Sequence, residues 1–268
     1  MARIQVGEGS IHYERHGDGF PVLFISGLSG VASFWKDQVP TFAKKFDVVT
    51  HDHRGIGQSD LTRSGYTVDR MATDVIGLMD ALEIKRAHLV GHSTGGAIAQ
   101  TLALDHPNRV ASIVLSASWT KPDAYFRRFY GLRKDILLRL GPSAYVAANS
   151  LFLFPGAYVA KNNEKLRQAE AQTLAVFPPT EIAASRIDAI LAFDRTEQLD
   201  KIKTPTLVIG AEDDLITPAY FSEELARRIP GAEVKIFPNG GHSFTQVRAR
   251  EFNQAVLPFL TAHTPDEA

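Results

Sequence analysis

The pentapeptide Gly91-His92-Ser93-Thr94-Gly95 limits what this chain can fold into more than any other stretch. Ala87-His88-Leu89-Val90 precedes it, short and apolar enough for a buried strand. Gly96 to Leu104 follows, rich in good helix formers. Strand, tight turn and helix around G-x-S-x-G are the context of a nucleophile elbow. There the serine adopts a strained backbone, so that its hydroxyl stands clear of a sheet. Side chains two residues to either side would collide, which accounts for Gly91 and Gly95. The helix that follows aims its N-terminal N–H groups and dipole at the site, where they favour developing negative charge. Taken alone the string reads equally well as a glycine-rich turn, and the flanking elements favour the elbow. What has to be found is a base, an acid and an oxyanion site.

Read in order, the chain alternates strands with helices. Ile11-His12-Tyr13-Glu14 alternates as an outer antiparallel strand does. Pro21 to Ile25 is a continuous apolar run, expected of a strand buried on both faces. It runs into Ser26-Gly27-Leu28-Ser29-Gly30, a loop at a strand's carboxyl end, where open α/β sheets bind ligands. Either this is a plain turn, or the Leu28 amide is an oxyanion donor. Residues 33 to 46 place Phe34, Trp35, Val39, Phe42 and Phe46 on one helical face despite Pro40. Asp47 to Thr50 is a strand, followed by Asp52-His53-Arg54-Gly55-Ile56-Gly57-Gln58-Ser59, read as a tight loop pinned by an ion pair. Met71, Val75, Leu78, Met79 and Leu82 share a helix face and belong to the core.

After the strand Ala111 to Leu115 the pattern changes. Residues 118–199 show no central strand. They read as helices broken at Gly131, Gly141-Pro142, Pro155-Gly156 and Pro178-Pro179. A loop of that length is implausible in a compact domain, so the segment is expected to be a helical cap insert. The core is then 1–117 together with 200–268. Thr206 to Gly210 and Val234 to Phe237 resume the sheet. The expected class is α/β: a mostly parallel, doubly wound, eight-stranded sheet with helices on both faces.

Composition excludes several functions. A net charge of −1 gives no reason to expect nucleic acid or an anionic membrane as partner. With no cysteine there is no disulfide, thiolate metal site or cysteine nucleophile. No secretory signal or membrane-length apolar run is read, which makes a cytoplasmic location the expectation. No histidine pair has metal-ligand spacing backed by further ligands, so no metal is expected.

A serine hydroxyl needs a base, and the base an orienting acid. Gly210-Ala211-Glu212-Asp213-Asp214-Leu215-Ile216-Thr217-Pro218 follows a strand and brings acids to the edge that holds Ser93. Gly240-Gly241-His242-Ser243-Phe244 follows the last strand and places a histidine on a glycine-rich loop. Of nine histidines, only His242 combines chain order, glycine neighbours and strand-end placement. His92 is read as packing; His51, His53 and His88 as buried beside strands; His12, His16, His106 and His263 as surface or edge residues. The oxyanion donors are expected to be the backbone amides of Thr94 and Leu28.

The order serine, acid, histidine and the motifs above resemble the α/β-hydrolase superfamily over nearly the whole chain. In that family the acid usually stands four residues before a proline, which favours Asp214 and leaves Asp213 as the fallback. The first loop often begins His-Gly there and begins Ser26-Gly27 here. The resemblance implies a Ser93–His242–Asp214 triad, an acyl-enzyme and no cofactor. A serine at the elbow also argues against the haloalkane dehalogenase branch, whose nucleophile is a carboxylate. Two branches are most similar. The 3-oxoadipate enol-lactonase and small carboxylesterase group matches through Asp52 to Ser59, the elbow and Gly210 to Pro218. The aminoacrylate hydrolases of pyrimidine utilisation match through Phe24 to Gly30, Trp119, Arg127-Arg128 and Ser150 to Pro155. The primary expectation is hydrolysis of a small carboxylic ester or enol-lactone. The alternatives are aminoacrylate-type C–N hydrolysis, C–C hydrolysis, or ligand binding without catalysis on the same scaffold. The partner expected is a small-molecule substrate, and oligomeric state is not readable. Trp119, Phe126, Phe152 and Phe154 are expected to line the pocket. Arg127, Arg128 or Arg133 are candidates to meet a substrate carboxylate, although long cations more often form a solvated face, the reading preferred here.

Overall fold

A computed structural model describes residues 2–62 and 65–265. Eight strands form one sheet: β1 (Ala2–Val6), β2 (Gly9–His16), β3 (Phe20–Ile25), β4 (Phe46–His51), β5 (Ala87–His92), β6 (Val110–Ser116), β7 (Thr206–Ala211) and β8 (Glu233–Phe237). Their order is β1-β2-β4-β3-β5-β6-β7-β8. β2 pairs antiparallel with β1 and β4, and every pair from β4 to β8 is parallel. The continuous apolar runs follow from this arrangement. Leu23 and Ile25 of β3 join one core cluster while Val22 and Phe24 join the other, because alternate residues face opposite layers and both layers are covered.

The helices are α1 (Val39–Phe42), α2 (Val68–Ala81), α3 (Thr94–Asp105), α4 (Ala124–Asp135), α5 (Gly141–Leu153), α6 (Gly156–Ala175), α7 (Thr180–Ala192), α8 (Ala219–Arg228), α9 (Phe244–Val247) and α10 (Ala249–Ala262). Buried side chains of α2, α3 and α8 pack with the first cluster, and Phe42 of α1 with Phe252, Val256 and Leu260 of α10 pack with the second. Between β6 and β7 the chain makes α4 to α7.

Four expectations need correction. Residues 33–46 are not one helix: a 3₁₀ turn at Ala32–Trp35 precedes the four-residue α1, and Phe46 opens β4. Pro40, which lacks an N–H, sits in the first turn of α1, the position a helix tolerates. Gly131 does not break α4, which runs through it. The break falls at Gly141, whose φ of 86° favours glycine. Across Ala124–Leu153 an 18-residue window reaches a mean hydropathy of 1.3, so by length and composition one helical stretch could cross a membrane. In this fold that stretch bends at Gly141 and buries Phe126, Tyr130, Leu137, Tyr145 and Val146 in the first core cluster. Finally, His12 is buried rather than at the surface.

Candidate active site

Ser93 joins β5 to α3 with φ 54° and ψ −114°, a conformation costly for any residue with a Cβ. Its amide donates to the Ser116 carbonyl (2.7 Å), which ties the elbow to β6. The glycines are required by backbone, not by each other's side chains. A Cβ on Gly91 would lie 2.2 Å from the Gly95 carbonyl oxygen, and one on Gly95 would lie 2.0 Å from that of Ile25. Gly95 thus lets the start of α3 rest against the end of β3. A Cβ on Gly27 would lie 3.3 Å from the Ser93 Cβ, so the loop after β3 also closes on the serine.

The loops after β7 and β8 supply the acid and the histidine. His242 Nδ1 lies 2.8 Å from Asp214 Oδ2, and both residues are buried. A carboxylate only accepts, so Nδ1 carries the proton and Nε2 is left as the basic nitrogen. The other oxygen, Asp214 Oδ1, accepts the amides of Ile216 (2.7 Å) and Thr217 (3.0 Å), which fixes the carboxylate's plane. Thr217 Oγ1 stands 2.8 Å from Oδ2. Asp213 shapes the partner loop instead: its oxygens accept the amides of Gly240 (3.2 Å) and Gly241 (2.8 Å), directly before His242.

Ser93 and His242 line one cavity of about 120 Å³ together with Leu28, His92, Tyr130, Arg133 and Phe154. Among the described residues the Ser93 hydroxyl makes no hydrogen bond to His242 within 3.5 Å, and neither Ser93 Oγ nor His242 Nε2 is an occluded, unpartnered atom. Looser nucleophile–base contacts are common before substrate binds. A second hollow of about 390 Å³ shares Leu28, Ser29, Val31, Phe34 and Gln246 with the first. The Leu28 and Thr94 amides have no backbone acceptor among the described residues. An oxyanion site requires free donors of this kind; Leu28 lines the cavity, and Thr94 is not among its lining residues.

The sequence did not flag what holds the Leu28 loop. Arg186 of α7 is fully buried, and its Nη2 donates to the Leu28 carbonyl (3.0 Å). The same group reaches His53 Nδ1 (3.0 Å), and Nη1 donates to the Arg54 carbonyl (3.1 Å). Burial lowers the pKa of Arg186 to about 10, still well above neutrality. Burial, then the charge of Arg186, pushes His53 well below the usual histidine range, so His53 is neutral and can accept. Arg186→Met would strand two carbonyls and loosen the oxyanion loop. A 10- to 100-fold fall in kcat is expected, less than the roughly 10²- to 10³-fold cost of removing an oxyanion donor outright, because the amide is loosened and not lost. KM should change less, and Arg186→Lys should recover part of the rate. Steady-state kinetics on the three proteins check this.

The ion pair expected to pin the 52–59 loop is Arg54 with Asp74 of α2, at 2.5 Å, while Asp52 accepts the Ala32 and Gln58 amides. His92 packs as read, stacked on Phe34 and 4.9 Å from the His242 ring. Burial, then the nearby His242, holds it well below the ordinary histidine range, so it adds no competing charge beside the base.

The expected pocket residues divide. Phe154 lines the cavity. Trp119 and Phe126 do not: both are fully buried and pack on each other, rings tilted and 4.8 Å apart, within the core. Phe152 packs on Phe129 (5.0 Å) and is not part of the cavity wall. Arg127 is exposed and donates to the Leu191 carbonyl. Arg128 is exposed as well, whereas Arg133 is buried in the wall. Among the described residues no group of three or more His, Cys, Asp or Glu is placed to hold a metal.

The family described as alpha/beta hydrolase fold matches residues 21–245. The chain belongs to the α/β-hydrolase fold family and is a hydrolase of that class. Within it, the chain is 40% identical to a protein of Caulobacter vibrioides named “Putative carbamate hydrolase RutD”, over 97% of this chain and 99% of that one. It is 39% identical to a protein of the same name from Variovorax paradoxus, over 93% and 96%. The crystal structure of the enol-lactonase from Burkholderia xenovorans LB400 superposes with a TM-score of 0.90 at 28% identity, covering 97% of this chain and all of that one.

Proposed function

We propose that this chain is a serine hydrolase that cleaves a small carbonyl compound of the carbamate type at its C–N bond. The observation that carries the reading is the convergence on one cavity: Ser93 on its strained elbow, His242 tied to Asp214, and the unbonded Leu28 amide beside them. In this mechanism Nε2 of His242 takes the Ser93 proton as Oγ adds to the carbonyl carbon. The Leu28 and Thr94 amides stabilise the oxyanion. Collapse expels the amine, protonated by His242, and leaves a carbonate ester on Ser93. Water activated by the same nitrogen releases the product and restores the serine. The partner is a small molecule, and no step calls on a cofactor.

Relatives named as carbamate hydrolases match through cap and core alike, and this supports the C–N bond. The likeness to an enol-lactonase favours a second reading, the ester or enol-lactone hydrolase expected from the sequence. Amine release from a small carbamate, set against acid release from an enol-lactone of similar size, separates them. A larger kcat/KM for the carbamate is expected. A preference for the lactone would give the second reading its place.

A further inference from the structure

Arg133 is a charge that the protein itself does not answer. α4 carries it into the wall of the cavity that holds Ser93 and His242, where it is 5% exposed. Its Nη2 donates to Tyr145 Oη (3.0 Å) and Asn149 Oδ1 (2.9 Å), both neutral. The rings of Phe129, Tyr130 and Tyr145 lie 6.0, 4.9 and 5.2 Å from its Cζ. Nε is buried with no acceptor. Nη1 has none either among the described residues, and it is not one of the occluded atoms. No Asp or Glu is among the described residues lining the cavity.

The other buried arginines are different. Arg54 has Asp74, and Arg186 donates to two carbonyls and His53. A guanidinium cannot shed its proton under working conditions. Buried charges are ordinarily paired, because desolvation of a lone ion is costly. Aromatic faces and two neutral acceptors offset part of that cost and leave an N–H group over.

We infer that the missing acceptor is substrate. Arg133 reads a carboxylate that the substrate carries in addition to its reacting carbonyl, and so selects small anionic acyl compounds over neutral ones. This rests on the Ser93 chemistry proposed above. Arg133 is a specificity residue and takes no part in proton transfer.

Monomethyl succinate and dimethyl succinate differ by the one charge at issue. Wild type should hydrolyse the monoanion with the higher kcat/KM. In Arg133→Gln the ratio of the two kcat/KM values should fall about 30-fold or more, mostly through KM, the scale for stranding a buried charge partner. Arg133→Lys should recover part of it. An equal fall for both esters, or no wild-type preference, overturns the inference. If wild type hydrolyses neither ester and remains inert toward carbamates, the Ser93 reading fails, and calorimetric binding decides about Arg133 separately. Succinate should then bind wild type more tightly than succinamide, and Arg133→Gln should abolish the difference. Equal binding of the two would overturn the carboxylate subsite.

Discussion

Ser93→Ala is expected to reduce hydrolysis of the best carbamate or ester substrate by at least about 10⁴-fold in kcat, the scale on which removing a triad member acts. The substitution removes only an oxygen and keeps the backbone of the elbow. Ser93 already pays for a positive φ with its own Cβ, and alanine carries the same Cβ into the same space. The variant should therefore fold like wild type, with an unchanged melting temperature, and still bind substrate. An activity loss below about tenfold would mean that another group attacks the carbonyl, since residual rates come from binding and the oxyanion amides alone.

Asp214→Asn is the second large effect, expected near 10³- to 10⁴-fold in kcat at neutral pH, by the logic of tautomer control. Oδ1 accepts two backbone amides at 2.7 and 3.0 Å, so an asparagine would keep its oxygen there. Its amino group would then point at His242 Nδ1, 2.8 Å away in the native pair. Two donors cannot face each other, so the imidazole would hold its proton on Nε2, the nitrogen that must accept from Ser93. Steady-state kinetics with a structure of the variant would check this. A rate within tenfold of wild type would pass the acid's role to Asp213 or remove it, although Asp213 is already engaged with the amides of Gly240 and Gly241.

The core was legible because its signals are local. A strand buried on both faces needs a continuous apolar run, and a turn at its carboxyl end has to lie at the sheet's working edge. That reasoning alone placed Ser93, the 212–218 acids and His242 at strand ends as candidates. Residues 118–199 were legible only as a helical segment between two strands. Trp119 and Phe126 are aromatic and follow β6 closely, yet they pack together inside the first core cluster. Which face of a cap helix turns inward depends on how its neighbours pack, and α4 carries both exposed Arg127 and buried Arg133 six residues on. Arg186 gave no local sign at all: its partners lie more than 130 residues away in the chain. Gly131 shows the converse error, since a glycine inside a helix costs only about 1 kcal/mol.

The account turns on whether the hydroxyl of Ser93 is made nucleophilic by the pair His242–Asp214, and covalent capture reads that directly. After brief exposure to a small fluorophosphonate, intact mass and peptide mapping should show one phosphonyl adduct per chain, on Ser93. Ser93→Ala should take up none, and His242→Ala should label far more slowly. An adduct on another residue, or labelling of Ser93 at the same rate without His242, would contradict the account.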